Sequence, residues 1–585
     1  MSESIISLHR KRLSGEKGTR VKNWGGKISV ALVYPNSYYV GMSNLGFQVV
    51  YELLNNRDDI VAERVFLPEE KELSLRLGAG KTILSLESQV QLSKFHMIAF
   101  SLSFENDYPN ILKILNLAGI PLLKTERDES YPFVFAGGIT TFLNPEPVSD
   151  FFDFFLLGEA EESLYPFLDV MKGLVLSGKT RDEVLENLAV SLEYVYVPSL
   201  YEIEYTDKGT IGARKPLINN LPVLVRSAVR NAEKLNIARS SVIADDTEFS
   251  NKLLVEVGRG CGRSCRFCAA GYVYRPPRYL NEEDITGCIE KADALCSRVG
   301  LLSASVLDTP GINRIAENIL EADRSFSVSS LRADLLTPEI LELLKKAGQK
   351  HLAIAPEAGS ERLRKVINKH LTLKQIINAV RLIARAGNFS LRLYFLIGLP
   401  TETKEDIRAI HELVRVIKHH MVKESKKRGS IGLIKLSVNC FIPKPFTPFQ
   451  WFPMESVKSL KEKQRWLRNV FRKEGGVSIS FDVPKWAYLQ ALLSAGDRRT
   501  GSILKLALEY DNDFAKVYKN SDLNTDFFVH RSRSTDEMLP WDFIDHGIRK
   551  EFLIKEYKLA LRETESDICS VGSCSRCGVC KPVKH

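Results

Sequence analysis

Apolar runs alternate with amphipathic stretches along most of this chain, and the alternation predicts two successive βα series. In the first, ISVALVYP (28–35), VAERVFLP (61–68), MIAFSLS (97–103), FVFAGG (133–138) and FFLLGEAEE (154–162) read as strands. MSNLGFQVVYELL (42–54) and YPNILKILNLAG (108–119) have helical spacing. Strands that alternate with helices pair in parallel, so residues 26–180 are expected to form a Rossmann-like or flavodoxin-like α/β domain. It contains no GxGxxG, and dinucleotide binding finds no support. Residues 181–245 read as a connecting region. Its aromatic stretch YVYVPSLYEIEY (194–205) contains a proline that suits a hairpin or an edge strand.

The second series begins at LLVEV (253–257). It continues through LLSASVL (301–307), FSVSSLRA (326–333), HLAIAPEA (351–358), SLRLYFLIG (390–398) and LIKLSVNCFI (433–442). Six strands with helical crossovers predict a partial (β/α)6 barrel over residues 246–450, short of a complete eight-stranded one. Past residue 455 the strand signal fades, and 451–560 is expected to be a mainly helical accessory region. A basic amino-terminal arm (1–25) and a cysteine-rich tail (561–585) complete the expected organisation.

A chain of 585 residues exceeds one hydrophobic core, which agrees with several domains. Eighty-one basic against 72 acidic side chains leave a formal charge of +9. That excess admits a polyanion such as RNA as partner without requiring one. No apolar run approaches the roughly 20 residues that span a bilayer, and the first residues lack a secretory signal core. No membrane association and a cytoplasmic location are therefore expected. Of ten cysteines, seven fall in two groups, at 261–268 and 569–580. Grouping of this kind suits two metal sites in a reducing compartment better than disulfides.

Cys261, Cys265 and Cys268 lie in GRGCGRSCRFCAAGYVYRPPR, directly after the first strand of the second series. Three thiolates at this spacing can each take one iron of a four-iron cube and leave the fourth iron open to a substrate-like ligand. Gly258, Gly260 and Gly262 let the loop fold tightly, and Phe267 can shield one face of a cluster from water. Zinc would need a fourth ligand, and no cysteine or histidine occurs in the next ten residues.

The segment resembles the signature of the radical SAM superfamily, CxxxCxxC with an aromatic residue before the third cysteine. The resemblance implies that Cys261, Cys265 and Cys268 ligate a [4Fe–4S] cluster whose open iron binds S-adenosylmethionine (SAM). It implies reductive cleavage of SAM to methionine and a 5′-deoxyadenosyl radical. Carried along the barrel, it marks Ser330, Arg332 and Asp334 in SSLRAD as residues near SAM, with Glu357 and Arg362 in PEAGSERLRKVINK (356–369). Gly398 and Pro400 in LIGLPTET (396–403) resemble the block that closes on the adenosine.

The amino-terminal half resembles the cobalamin-binding type of the superfamily through AGG (136–138), NPEP (144–147) and the GEAEE block (158–162). Together with PKPFTPFQW and the terminal CxxCGVC, these blocks are most similar to a bacterial subfamily of unassigned function. The D-x-H-x-x-G element that supplies histidine to cobalt is absent, and His96 reads as structural. Gly137, Gly138 and Gly158 would let backbone approach a corrin, or serve as turn glycines.

The tail, DICSVGSCSRCGVCKP, holds Cys569, Cys574, Cys577 and Cys580, with Pro582 close behind. It is similar to a ferredoxin-type segment and would hold a second [4Fe–4S] cluster; a structural zinc and free thiols are the alternatives. Cys288, Cys296 and Cys440 read as packing residues. Lys444, Phe446 and Trp451 in FIPKPFTPFQW form either a stacking platform for a base or a packed lid. Arg498 and Arg499 are candidates for phosphate or carboxylate contact. The expected function is radical modification (methylation or methylthiolation) of an unreactive carbon in tRNA or rRNA. The alternatives are a small-molecule or cofactor-biosynthetic enzyme, and a non-catalytic iron–sulfur module. An electron donor such as flavodoxin or ferredoxin, and a separate substrate-binding protein, are the expected partners.

Overall fold

The computed structural model of the chain describes residues 5–70, 72–73, 82–230, 237–292, 296–572 and 574–580. The first four residues of the basic arm and Pro582 lie outside the described residues, as do residues 293–295 of the expected helix after 281. The chain divides into two compact units: Met1–Asn251 with Leu492–Phe528 and Asp536–His546, and Lys252–Ala491 with Val529–Thr535 and Gly547–His585. The region expected as one accessory segment, 451–560, is thus shared between both.

The first unit is built on β1 (Ile28–Tyr34), β2 (Ile60–Phe66), β3 (Met97–Ser101), β4 (Phe133–Gly137), β5 (Phe154–Leu156) and β6 (Val195–Tyr196). The sheet order is β2-β1-β3-β4-β5-β6, with β6 antiparallel to β5 and all other pairs parallel. β1 lies between β2 and β3, so its sequence is apolar without alternation: both faces are covered. Helix Leu45–Asn56 starts at Asn44, whose side chain accepts from the Phe47 N–H, and Tyr108–Ala118 stops at left-handed Gly119. The aromatic stretch forms the expected hairpin, β7 (Tyr201–Tyr205) with β8 (Ile211–Pro216). His96 does take a structural place: its Nδ1 lies 2.8 Å from Ser29 Oγ and accepts from the Ser29 N–H.

The basic amino-terminal arm is tied to the first sheet through an acidic residue. Helix Ile5–Ser14 is followed by Glu16, whose carboxylate binds both terminal nitrogens of Arg64 on β2 at 2.7 and 2.8 Å. Glu87 holds the same guanidinium from its other side, and all three side chains are buried. A fully buried cation needs such partners, and the arm supplies one of them.

The second unit contains one parallel series of strands. These are β9 (Leu253–Glu256), β10 (Arg298–Leu302), β11 (Ser325–Val328, resuming at Ser330–Leu331), β12 (His351–Glu357), β13 (Ser390–Ile397), β14 (Ile434–Cys440) and β15 (Val477–Phe481). Each pairs with the next in that order. β15 corrects the expectation of six strands. Its sequence, VSISF, alternates apolar and polar residues and is half exposed, so it carries too little apolar character to stand out. On β13, Leu391, Leu393, Phe395 and Ile397 are buried on one face, while Arg392 and Tyr394 occupy the other.

Gly138 follows β4 at φ +113, where an added Cβ would lie 2.4 Å from Leu102 O. Gly138→Ala is expected to cost about 2–3 kcal/mol, because strained backbone and a clash with backbone coincide there. A urea unfolding midpoint unchanged from wild type would contradict this reading.

Candidate functional site

The cysteine loop leaves the carboxyl end of β9. Two short segments, Gly258–Arg259 and Arg278–Tyr279, pair antiparallel and close it into a hairpin-like loop. Gly260, at φ +81, brings its backbone against Tyr274 O, where a Cβ would lie at 2.3 Å. Inside the loop the Cys268 N–H donates to Cys265 O and the Gly271 N–H to Cys268 O, each at 3.1 Å.

The residues between the cysteines anchor this loop. Arg266 is fully buried and donates to Glu556 Oε2 from two nitrogens at 3.1 Å. It also donates to the carbonyls of Lys365, Val366 and Thr564. Ser264, at positive φ, has its carbonyl held by Tyr272 Oη and by Asn368 Nδ2, both at 3.1 Å. Arg263 pairs with Asp308. Phe267 packs against a buried cluster that includes Leu363, Ile367, Leu399 and Phe449. Sequence reasoning missed Arg266, Asn368 and Lys369. Their only local signal was position, Arg266 inside CxxxCxxC and the other two just after the E-A-G-S-x-R block.

Burial pushes the Cys268 thiol up to about 12, with Cys265 and Cys261 adding to the effect, and burial raises Cys261 too. The three thiols therefore share one electrostatic environment. Among the described residues, no three Cys, His, Asp or Glu side chains converge as a single metal ion requires. A four-iron cube makes no such demand, because each thiolate takes its own corner. Three thiols on one anchored loop, with no fourth beside them in sequence, fit a cube with one open iron.

Around the loop lie residues expected near SAM. Glu357, at φ +65 at the end of β12, pairs with buried Lys369 at 3.2 Å. Burial works against the Lys369 charge, but Glu357 and then Cys265 hold its pKa above the ordinary value. Arg332 forms a two-pronged pair with Asp334 at 3.0 and 3.1 Å. Ser330 is exposed on the same face. Arg362 donates to Asp406, Glu563 and Thr401 O at the start of helix Lys404–Ser425. Gly398 donates its N–H to Glu402 at 3.0 Å, and Pro400 is buried beside it. Both therefore shape the strand end.

Other expected contacts are occupied by the chain itself. Gly138 and Gly158 use their freedom against backbone: a Cβ on Gly158 would lie 2.2 Å from Ala228 O. Gly137 pairs within the sheet, opposite Ser101. Trp451 is buried with its ring edge-on to Tyr557, and Phe446 is buried with its N–H held by Gln450; neither offers a face to a base. Lys444 is partly buried, and its carbonyl accepts from Thr447. Arg498 is bound to Glu146 at 2.9 Å, and Arg499 to Asp497 at 2.6 Å. Asn144 donates to the carbonyls of Ser494 and Gly496. NPEP (144–147) and GDRR (496–499), 352 residues apart, are thus each other's partners.

The same strands carry a cavity of about 490 Å³ lined by Ser330, His351, Arg392, Tyr394 and Lys435. The strand registers put Ser330, Ala353, Arg392 and Lys435 at one level. Neither Arg392 nor Lys435 has a carboxylate partner among the described residues.

Comparison with known proteins places this geometry. A family model described as the radical SAM superfamily matches residues 255–414, and one described as radical SAM proteins, N-terminal, matches 46–198. The uncharacterized protein MJ0966 of Methanocaldococcus jannaschii is 31% identical over 81% of this chain and 90% of its own length. The tRNA-2-methylthio-N(6)-dimethylallyladenosine synthase of Anaplasma marginale is 24% identical over 37% of this chain and 52% of its own. The anaerobic magnesium-protoporphyrin IX monomethyl ester cyclase of Cereibacter sphaeroides is 27% identical over 27% of each. The chain therefore spans nearly all of the first relative, but about half or less of the other two. Among solved structures, the cobalamin-dependent SAM radical enzyme OxsB with aqua-cobalamin and SAM bound has TM-score 0.46 at 14% identity, covering 92% of this chain and 79% of that one. The radical SAM methyltransferase TsrM from Kitasatospora setae has TM-score 0.44 at 13% identity, covering 70% and 72%. The full-length match and the CxxxCxxC loop on its parallel strands agree: the chain belongs to the radical SAM superfamily, in one family with the M. jannaschii protein, and is a radical SAM enzyme.

Proposed function

We propose that this enzyme directs SAM-derived radical chemistry at a small anionic molecule. The observation that carries the reading is the cavity on β11–β14, where Arg392 and Lys435 stand at one level without carboxylate partners among the described residues. Its volume is that of a site for a single small ligand. Two cations facing a cavity without anions of their own favour a ligand that brings the charge.

A [4Fe–4S] cluster held by Cys261, Cys265 and Cys268 would supply the single electron that breaks the C5′–S bond of the SAM sulfonium. The chain's own residues prepare that event. Arg266 and Asn368 fix the loop, so the thiols need little rearrangement when iron enters. Phe267 and the cluster under it keep water from one side. The Glu357–Lys369 and Arg332–Asp334 pairs set opposite charges beside the cysteine loop and would suit the zwitterionic methionine end of SAM. The cavity lies towards the amino-terminal ends of these strands, with His351 about 20 Å along β12 from Glu357. Arg392 and Lys435 would there hold an anionic group of the substrate remote from the reacting carbon, and Tyr394 borders it.

An RNA substrate was the first expectation, and two of the named relatives' printed activities differ on this point, one acting on tRNA and one on a porphyrin ester. Of the side chains singled out for RNA, Trp451 and Phe446 are buried, Arg498 and Arg499 are paired with carboxylates, and Lys444 is partly buried. The test is anaerobic turnover with SAM and dithionite, following 5′-deoxyadenosine. A ribonuclease-treated small-molecule extract is expected to raise its formation above the uncoupled rate. Arg392→Ala with Lys435→Ala should remove that rise by roughly tenfold or more. Stimulation by bulk tRNA alone would overturn the small-molecule reading.

A further inference from the structure

The two cysteine groups, some 300 residues apart in sequence, meet in the second unit. The Cys569 N–H donates to Gly262 O at 2.9 Å, and Cys569 Cβ would touch a Cβ on Gly262 at 3.4 Å. One residue and one hydrogen bond therefore separate Cys261 from Cys569. Arg275 spans the same junction. It is buried, donates to Ser264 Oγ and to Gly271 O at 2.7 Å each, and faces Cys577 and Cys569. The tail is held in place rather than merely adjacent: the Arg549 N–H donates to Cys577 O, and its guanidinium to the carbonyls of Ser575 and Arg576. Left-handed Gly578 lets that strand of chain pass against Arg549.

We infer that Cys569, Cys574, Cys577 and Cys580 hold a second iron–sulfur cluster that passes electrons to the SAM site through the Cys569–Gly262 contact, with Arg275 as the positioning residue. This rests on the proposed reading of the first loop as a cluster site. Four thiolates on one cluster leave no iron open, which suits electron transfer and not substrate binding. An anionic four-thiolate cluster needs nearby positive charge, and Arg275 and Arg549 supply it. The tail is open to solvent at Val571, 52% exposed, so a donor can reach it. The electron comes from a one-electron reductant of the flavodoxin or ferredoxin class. That donor is oxidised by one electron, the SAM sulfonium is reduced by one, and no atom or proton crosses the junction.

The full chain, reconstituted anaerobically with iron and sulfide, tests this. Wild type is expected to bind about eight iron atoms and no zinc. When fully reduced it should show paramagnetic signals broadened by coupling between two clusters. Cys574→Ala with Cys577→Ala should retain about four iron atoms and show one unbroadened signal. In that variant the ratio of flavodoxin-driven to dithionite-driven 5′-deoxyadenosine formation should fall at least tenfold. An unchanged ratio, zinc in the tail, or two uncoupled signals in wild type would overturn the inference. The wild-type spectrum decides the coupling even where the variant fails to fold. No 5′-deoxyadenosine from wild type with dithionite would instead sink the reading of the first site.

Discussion

Replacing Cys261, Cys265 and Cys268 together with alanine should lower 5′-deoxyadenosine formation by roughly a thousandfold or more, because no other site would leave an iron open to SAM. The same variant should lose about four iron atoms per chain and still fold. Folding is expected to survive because the loop is held by its other residues. Arg266 binds three carbonyls and Glu556, Asn368 and Tyr272 hold the Ser264 carbonyl, and Gly258–Arg259 pair with Arg278–Tyr279. Iron content, far-ultraviolet dichroism and product chromatography on one anaerobic preparation check all three statements. A variant that keeps the iron, or keeps making 5′-deoxyadenosine, would remove these cysteines from the chemistry.

Arg266→Ala should be the most damaging single change outside the ligands, at about 3–5 kcal/mol of stability. The substitution strands Glu556, which is 2% exposed, and leaves the carbonyls of Lys365, Val366 and Thr564 without their donor. A buried charge that loses its partner costs more than the pair contributed, so Arg266→Met with Glu556→Gln should recover part of the loss. Ser566 Oγ, 2.9 Å from Glu556, can still donate to the amide oxygen. Urea unfolding of the iron-free protein separates this effect from loss of a cluster. A single variant within about 1 kcal/mol of wild type, or a double variant worse than the single, would contradict the argument.

Much of the second unit was legible because its signals are local. Strands buried on one or both faces show in the order of residues, and β12, β13 and β14 all fell within the expected segments. β15 was not legible, since V-S-I-S-F also suits an exposed turn and becomes a strand only through its hydrogen bonds to β14. The arm at 1–25 shows the same limit in another form. Its basic composition suggests a solvated segment, yet its one decisive residue is acidic Glu16, fixed by a cation on β2.

The opening reading of the candidate site follows the same division. CxxxCxxC on a glycine-rich loop specifies its chemistry within eight residues, because one short segment fixes how many thiolates can face one cluster. Arg498 read as a candidate for phosphate or carboxylate contact and is paired with Glu146 of NPEP. Arg362 read as a residue near SAM and donates to Asp406 at the start of a helix. Polar and charged side chains read alike in sequence whether they meet a ligand or a distant part of the chain, since both partners satisfy the same hydrogen bonds. What residue order alone established here is a reaction class, and it singled out the three sulfurs proposed to carry it. The placing of Cys569 against Gly262, of Arg275 between the two groups, and of Arg392 beside Lys435 came only from packing, which joins residues that spacing along the chain does not relate.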